Sequence, residues 1–344
     1  MTDLKEGLFT TVVGSLPLEN TPDNMKKGFN ELINIGIDYP CYPQLMNMNS
    51  MFLSPLSKLI EQLKEENDTF YLSDDFKIPD KLVALEYGEF IIDFLKEYPQ
   101  LMGKIRGTKA CLTGPFTLTG EILLRNKIAK GVEPKIFKEP RAIMVESLVE
   151  KFAEIMKRLG KAYNDMGINI ISMDEPTLGL VVGRKPHIHD EEFIIKMLNK
   201  AISGIKGMSS IHICGRISPA LRDIILQTDV KIMDHEFRTS EGNFKTFEKS
   251  HFENTDKYLA MGTVETKVVP IKDGTLTDYV EDINFLKKWI KKGIDHFGKD
   301  NLVIKPDCGM GPLLGTFDQE LGYDIAMRKL NNMVLALNQI KKEL

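Results

Sequence analysis

The sequence predicts an α/β protein built as a (β/α)8 TIM barrel with an inserted helical segment after the second strand. Two observations predict this fold. Short apolar runs rich in β-branched residues alternate with longer stretches of helical period, which is the pattern of repeated βα units around a parallel sheet. Polar and glycine-containing motifs fall where the apolar runs end, and in a barrel the carboxyl ends of the strands share the mouth where active sites are built.

Eight apolar runs qualify as strands, which is the number that closes a barrel of this class. In chain order these predicted strands are Phe9–Ser15, Ile37–Tyr42, Thr108–Thr113, Ile168–Asp174, Ser209–Cys214, Val230–Glu236, Tyr258–Val264 and Leu302–Asp307.

The stretches between them carry apolar residues at three- and four-residue spacing opposite a charged face, which is typical of helices packed on a sheet. The clearest predicted helices are Arg141–Met166, Asp190–Ile205, Asp278–Phe297 and Gln319–Leu344. The long segment Met46–Gly107 after the second strand predicts inserted helices that cap the mouth, with a loop at Glu66–Lys77.

Composition indicates an ordinary globular protein. The 344 residues are 42% hydrophobic and 27% charged, enough for a core of normal size. The sequence contains no Ser/Pro/Gly-rich linker, low-complexity tract or internal repeat beyond the βα alternation. We therefore expect residues 1–344 to form a single catalytic domain.

Charge and hydropathy exclude two classes of partner. The net charge is −4, with no cluster of basic and aromatic residues of the kind that binds nucleic acid. The sequence has no signal-peptide stretch at Met1–Glu6 and no run of about 18 apolar residues that could cross a bilayer. We expect a cytoplasmic protein that binds neither nucleic acid nor membrane. In a reducing compartment the four cysteines would be free thiols or metal ligands.

Three residues at strand ends indicate a metal site. His212 and Cys214 end one apolar strand and point to the same side of it, because residues i and i+2 share a face. Cys308 ends another strand, so all three would meet at one rim of a barrel. Imidazole and thiolate suit Zn2+, and a site with few protein ligands leaves a position open for a substrate sulfur. The alternative is that they are structural residues, the common role of single His and Cys residues.

A fourth ligand is expected from the sixth strand. Glu236 and Asp234 share one face of that strand, and His235 takes the other. Alternation does not choose between the two carboxylates; we prefer Glu236, with Asp234 second. The alternative is that these carboxylates orient the histidine ring from behind, as in many zinc sites.

Two further strand ends predict contacts with a substrate. Asp174, followed by Glu175, closes an apolar strand, and a substrate ammonium group would satisfy it through a charge-assisted hydrogen bond. A cap on the following turn is the alternative. Gly14 and Ser15 form either a simple turn or a backbone site for a substrate carboxylate.

Taken in order, five motifs resemble those of the cobalamin-independent methionine synthase family, specifically its C-terminal catalytic barrel, which is related to the uroporphyrinogen decarboxylase-like methyltransferases. They span almost the whole chain. The motifs are Thr10–Pro17, Leu112–Thr117, Asp174–Pro176, His212-x-Cys214 and Pro306–Gly309.

The resemblance implies a zinc-dependent S-methyltransferase that moves a methyl group to the thiol of homocysteine and so makes methionine. Asp174 would contact the amino group of homocysteine, and Val13 and Ser15 would hold its carboxylate. No catalytic residue is implied beyond the zinc-activated thiol. The implied zinc ligands, besides a glutamate of the sixth strand, are His212, Cys214 and Cys308.

Two departures from the family concern the methyl donor. Folate-dependent members place a tryptophan shortly after Thr-Gly-Pro to stack on the folate, whereas this chain reads Phe116–Glu121 there and has its single tryptophan at Trp289. The family's Asp-x-His near the seventh strand protonates the leaving folate nitrogen, and this chain has Glu265-Thr266-Lys267 instead. Since a cobalt-bound methyl group leaves without a proton, we expect methylcobalamin or a methylated corrinoid protein as the donor. The alternative is that another group supplies the acid.

Two other functions are compatible with the motifs. One is a methyl-corrinoid:coenzyme M, or other thiol, methyltransferase; Asp174 argues against it, because a carboxylate attracts an ammonium and repels a sulfonate. The other is a non-catalytic zinc- or corrinoid-binding subunit. A structural zinc would be closed by four protein ligands, so an open position argues against that reading.

Overall fold

The computed structural model of the chain describes residues 7–253 and 255–344. The strands in these residues are β1 (Phe9–Thr10), β2 (Leu63–Glu66), β3 (Thr69–Leu72), β4 (Lys109–Thr113), β5 (Ile122–Leu124), β6 (Ile170–Asp174), β7 (Met208–Ile213), β8 (Ile232–His235), β9 (Tyr258–Gly262) and β10 (Leu302–Lys305). The α-helices are α1 (Pro22–Asn34), α2 (Ser50–Ser57), α3 (Glu86–Glu97), α4 (Pro115–Glu121), α5 (Glu146–Asp165), α6 (Pro176–Val181), α7 (Glu191–Ile202), α8 (Pro219–Leu226), α9 (Asn243–Thr246), α10 (Ile283–Phe297), α11 (Leu313–Thr316) and α12 (Gln319–Glu343).

Seven strands form one curled parallel sheet in the order β1-β10-β9-β8-β7-β6-β4. Helices such as α5, α7 and α10 connect successive strands, because a parallel pair needs a crossover connection. The α/β fold class and seven of the eight predicted strands are therefore confirmed. Six of them lie within a few residues of the predicted bounds, whereas β1 covers only Phe9–Thr10 of the predicted Phe9–Ser15.

The predicted second strand, Ile37–Tyr42, is the exception. It forms single parallel bridges from Tyr39 to Thr11 and from Cys41 to Lys109, without a continuous ladder. Pro40 lies between the two bridges and has no N–H group to donate, which explains the interruption. The segment still hydrogen-bonds on both sides: Tyr39 N donates to Thr10 O (3.0 Å), and Lys109 N donates to Pro40 O (2.9 Å).

The inserted segment after this point contains helices and also a β-hairpin. Helices α2 and α3 lie in it, and β2 and β3 pair antiparallel where a helix and a loop were predicted. The two residues between them, Asn67 and Asp68, have φ values of 49° and 58°. These conformations are typical of a two-residue hairpin turn, for which Asn and Asp are favoured. Strand β5 pairs with β3 to complete a small second sheet.

Side-chain caps set the starts of three of the four predicted helices. Asp190 accepts a hydrogen bond from Phe193 N, Asp282 from Asn284 N and Phe285 N, and Asp318 from Leu321 N. A carboxylate at this position satisfies backbone N–H groups that have no partner within the helix. Helices α7, α10 and α12 accordingly begin one residue after these caps.

The inner face of the sheet changes from apolar to charged along the strands. At its amino end lies a separate buried cluster, with one member from each of several strands: Phe9, Tyr39, Ile170, Ile232, Ala260 and Val303. Two residues further along three of these strands, on the same face, come Ser172, Asp234 and Lys305. Two residues further again, at the carboxyl end of the same three strands, lie the buried residues Asp174, Glu236 and Asp307. These six polar side chains, five of them ionisable, therefore lie towards the carboxyl end of the sheet.

Candidate metal centre and substrate site

Three predicted ligands lie together at this carboxyl end. The Nε2 atom of His212 is 3.2 Å from Cys214 Sγ and 3.6 Å from Cys308 Sγ, and the two sulfurs are 3.4 Å apart. His212 lies in β7, Cys214 directly follows that strand, and Cys308 comes three residues after β10. The three ligand atoms are all within 4.8 Å of one another. The sequence prediction that these residues meet agrees with the structure.

The two thiols of the cluster are electrostatically unequal. The contact between the two sulfurs holds the pKa of Cys308 well below its usual range, and the same contact, together with burial, raises the pKa of Cys214. The lowered pKa favours the thiolate form at Cys308, and the thiolate is the form of cysteine that binds metals.

Asp234 lies behind His212 and orients its ring. Asp234 Oδ1 is 2.6 Å from His212 Nδ1 and 2.6 Å from Lys305 Nζ, while Lys109 Nζ is 3.4 Å from Asp234 Oδ2. Burial opposes ionisation here, but the two ammonium groups and His212 hold the pKa of Asp234 well below its usual range. An ionised carboxylate only accepts hydrogen bonds, so Nδ1 carries the proton and Nε2 is left to face the two sulfurs. Of the two carboxylates considered, Asp234 has the orienting role.

Glu236 is buried beside the cluster and lies outside it. Its side chain is 1% exposed, and its Oε2 atom accepts a hydrogen bond from Thr239 Oγ1 at 2.9 Å. Its Oε1 atom has no hydrogen-bond partner among the described residues. The ammonium group of Lys267 lies 3.6 Å from that oxygen. A buried carboxylate oxygen without a donor is energetically costly, so this atom is suited to a cation or a bound donor.

Asp307, which precedes Cys308, fixes the chain after β8. Its carboxylate accepts hydrogen bonds from the backbone N–H groups of Phe237 (2.8 Å), Arg238 (2.9 Å) and Thr239 (2.6 Å). It thereby ties the chain that follows Glu236 to the chain that carries Cys308. This role was not predicted, because it depends on which loops the fold brings together.

Asp174 ends β6 next to His212. The two residues are register partners in neighbouring strands, so their side chains point to the same side of the sheet. Asp174 is buried and accepts a hydrogen bond from Ser172 Oγ at 3.0 Å. Burial raises the pKa of Asp174 to about 6, against the opposing effects of His212 and Lys109.

The adjacent carboxylate has a different task. Glu175 accepts hydrogen bonds from Phe116 N (3.0 Å), Thr117 N (2.8 Å) and Thr117 Oγ1 (2.7 Å), so it caps the first turn of α4. Burial raises the pKa of Glu175 to about 7 despite these bonds. Gly114 precedes that helix, and a Cβ atom there would overlap the Glu175 carboxylate. Of Asp174 and Glu175, the residue that caps a helix is therefore Glu175. The helix that it caps is α4, which follows β4, and not the turn that follows β6.

The Val13–Ser15 segment lies against the loop that carries Cys308. Ser15 Oγ accepts a hydrogen bond from Gly311 N (3.1 Å), and Ser15 O accepts one from Met310 N (2.9 Å). A Cβ atom at residue 309 would overlap Ser15 Oγ, which explains why glycine follows Cys308. A cleft of about 340 Å3 opens at Ser15. The carbonyl group of Val13 accepts a hydrogen bond from the buried Cys111 thiol at 2.6 Å.

Neither Phe116, at the start of the stretch after Thr-Gly-Pro, nor Trp289 offers an exposed ring on which a folate could stack. Phe116 is 1% exposed within α4. Trp289 is 8% exposed on α10, and its Nε1 atom donates a hydrogen bond to Gly262 O at 3.3 Å. Both rings are therefore used for packing.

Two buried lysines that contact Asp234 were not predicted from the sequence. Lys109 and Lys305 are buried in β4 and β10, where their neighbours Ala110, Cys111, Ile304 and Val303 are apolar. A lysine is almost never fully buried unless it is paired. A lysine inside a strand of apolar residues could therefore have predicted a buried acidic partner for that lysine.

Comparison with known proteins places the chain in a family. The model of the family described as "Cobalamin-independent synthase, Catalytic domain" matches residues 97–339. The chain belongs to this family. Among its relatives is a methionine synthase of Methanothermobacter thermautotrophicus, 30% identical over 231 residues. That alignment covers 67% of this chain and 63% of the relative, so the chain spans less than two thirds of that relative's length.

Solved structures share the fold over nearly the whole chain. A B12-independent methionine synthase from Shewanella sp. W3-18-1, in complex with selenomethionine, matches with a TM-score of 0.65 at 17% identity, covering 98% of both chains. A methyltransferase from Methanosarcina mazei matches with a TM-score of 0.62 at 14% identity, covering 98% of this chain and 94% of the other. At these identities the likeness concerns the fold. In addition, none of the helices in the described residues has the length and apolar character needed to cross a membrane.

Proposed function

We propose that the chain is an S-methyltransferase that transfers a methyl group to the thiol of homocysteine, giving methionine, at a zinc site made by His212, Cys214 and Cys308. The observation that carries the proposal is the convergence of these three ligand atoms at the carboxyl end of the sheet. Family membership supports methyl transfer as the reaction class.

The donor set and its spacing fit zinc. One imidazole nitrogen and two sulfurs are ligands that zinc prefers. Ordinary zinc bond lengths at tetrahedral angles put nitrogen and sulfur about 3.6 Å apart and two sulfurs about 3.8 Å apart. The observed separations of 3.2, 3.6 and 3.4 Å lie within a few tenths of an ångström of these values. Bound zinc stabilises the thiolate form of a coordinating thiol, which supplies the nucleophile at neutral pH.

The residues around the cluster would divide the remaining work. Glu236, whose Oε1 atom accepts no hydrogen bond among the described residues, would be the fourth ligand in the thiol-free protein. Asp174 would accept the ammonium group of homocysteine, since it lies beside His212 and points to the same side. Ser15, which lines the cleft beside the Cys308 loop, and Val13, two residues before it, would hold the carboxylate. The selenomethionine in the Shewanella enzyme is an analogue of the proposed product.

We further propose that residues 1–344 form one catalytic (β/α)8 barrel. The bridges of Tyr39 to Thr11 and of Cys41 to Lys109 support closure, because these partners lie at β1 and β4, the two edges of the seven-stranded sheet. Closure would bring Val13 and Ser15 opposite the strand that carries Asp174, so one substrate could contact both.

For the methyl donor we propose methylcobalamin or a methylated corrinoid protein. Lys267, at the position of the family's acid histidine, is paired with Glu236, and the rings of Phe116 and Trp289 are buried. A folate nitrogen needs protonation to leave, and the loss of a general acid costs about 10²- to 10⁴-fold in rate. The description "cobalamin-independent" applies to the family as a whole, so the donor must be tested on this chain.

The test measures methionine formation by purified, zinc-loaded protein. Homocysteine is offered with methylcobalamin in one reaction and with methyltetrahydrofolate in another, and coenzyme M replaces homocysteine in a third. We expect methionine with methylcobalamin, little with the folate, and no methylated coenzyme M. Methionine from the folate alone would overturn the donor, and methylation of coenzyme M alone would overturn the acceptor. No product with any pair would favour the non-catalytic zinc- or corrinoid-binding subunit.

A further inference from the structure

Glu236 is held between two different environments. On one side of its carboxylate, Oε2 lies 2.9 Å from Thr239 Oγ1, whose single proton is shared between this atom and Asp307 Oδ2 at 2.8 Å. The other side, Oε1, is buried without a hydrogen-bond donor among the described residues and has the Lys267 ammonium group at 3.6 Å. The carboxylate therefore has one fixed anchor, at Thr239, and one side that is free to change partner.

The other basic groups near the site are already paired. Lys305 lies 2.6 Å from Asp234, and Arg238 Nη2 lies 2.8 Å from Glu265 Oε1. Lys267 differs from them because its side chain is 67% exposed. An exposed ammonium group loses little when its partner leaves, since water solvates it. The contact between Lys267 and Glu236 is thus weak enough to form and break repeatedly.

We propose that Lys267 is a positioning residue that receives the Glu236 carboxylate when the sulfur of the thiol substrate replaces it at the metal. The inference rests on the proposed function, because it assigns a step in thiol binding at the same site. Two cations, the metal and Lys267, compete for one buried carboxylate. The position that Glu236 gives up becomes available to the thiol.

The competition predicts that loss of the Lys267 charge strengthens binding of the metal and weakens binding of the thiol. Without the Lys267 ammonium group Glu236 stays on the metal, so the metal is bound more tightly and the thiol must displace a ligand that has no alternative partner. An ion pair in which one of the two groups is exposed changes an equilibrium constant by about a factor of five. In the Lys267→Met variant we therefore expect the zinc Kd to fall about fivefold and the KM for homocysteine to rise by about the same factor. The change in kcat should be smaller.

The experiment compares matched variants by competition of the protein with a chromogenic zinc chelator. Lys272→Met removes another exposed lysine from the same loop and serves as the control. Lys267→Arg keeps the positive charge and should behave like wild type. Glu236→Gln and the double variant Glu236→Gln/Lys267→Met should bind zinc equally, because the effect of Lys267 passes through the Glu236 charge.

The outcomes separate the two proposals. A zinc Kd and a homocysteine KM that are the same in Lys267→Met as in Lys272→Met would overturn the role of Lys267. So would a tighter zinc Kd that persists in the Glu236→Gln background. If wild-type protein binds zinc and shows the predicted zinc Kd series but makes no methionine from any donor, the positioning of Glu236 stands and the proposed reaction fails. Wild-type protein that does not bind zinc would overturn both.

Discussion

At the scale of single residues, the candidate site depends on a buried group of charges beneath the metal ligands. Asp234 is in contact with His212, Lys305 and Lys109, and all four side chains are nearly inaccessible to solvent. The two lysines keep the carboxylate ionised, and the carboxylate fixes the proton of His212 on Nδ1. The orientation of the ligand His212 is therefore set by buried side chains that do not themselves belong to the metal cluster.

This arrangement predicts a double effect for Asp234→Asn. Zinc affinity should fall about 10- to 100-fold, the usual cost of losing a carboxylate behind a ligating histidine. Stability should fall by about 3–5 kcal/mol, because the two lysines would keep their buried charges without a counter-charge. Chelator competition measures the first effect, and urea unfolding of zinc-free protein measures the second.

The matched control is Asp223→Asn, at an exposed aspartate of α8 paired with its neighbour Arg222. It should change neither quantity, since exposed pairs contribute little. Unchanged zinc affinity in Asp234→Asn would show that the orientation of His212 does not depend on this carboxylate.

At the scale of elements, short helices at the mouth are tied to neighbouring strands by carboxylates. Helix α4 follows β4, and the carboxylate that caps it, Glu175, follows β6. The cap therefore connects two adjacent strand ends, next to Asp174. Asp307 connects the ends of β8 and β10, which lie on either side of β9, by accepting hydrogen bonds from the backbone that follows β8.

Replacing Glu175 by Gln tests this connection. The variant keeps the shape of the side chain but replaces one of its two acceptor oxygens by an NH2 group that cannot accept a hydrogen bond, so we expect a loss of about 1–3 kcal/mol in the free energy of unfolding. Urea unfolding of Glu121→Gln, at the exposed end of the same helix, supplies the control and should match wild type. Equal stability of the two variants would mean that the cap contributes nothing.

The elements were predictable to different degrees. Strands such as β4 and β6 are short runs in which apolar residues predominate, a pattern typical of a buried parallel strand. The β2–β3 hairpin was not predicted, because its strands contain charged residues such as Lys64 and Glu65, and its turn residues, Asn67 and Asp68, were read as a loop. The role of Glu175 depends on a tertiary contact that no local pattern records.

At the scale of the whole molecule, the candidate site joins parts of the chain that are far apart in sequence. Cys214 and Cys308 are 94 positions apart, and His212 and Asp234 are 22 apart. Parallel strands bring them together because their carboxyl ends share one edge. The meeting of His212, Cys214 and Cys308 could be predicted from sequence for this reason. The separation of Glu236 from that cluster could not, since both carboxylates of its strand face the same way.

The central claim is that zinc is held by one histidine and two cysteines, with a position that a substrate thiol can occupy. Zinc K-edge X-ray absorption measures it most directly by counting the sulfur atoms bound to the metal. The account predicts two sulfurs in the wild-type protein, three after homocysteine is added, and one fewer in each state for Cys308→Ser. A sulfur count that changes neither with homocysteine nor with Cys308→Ser would contradict it.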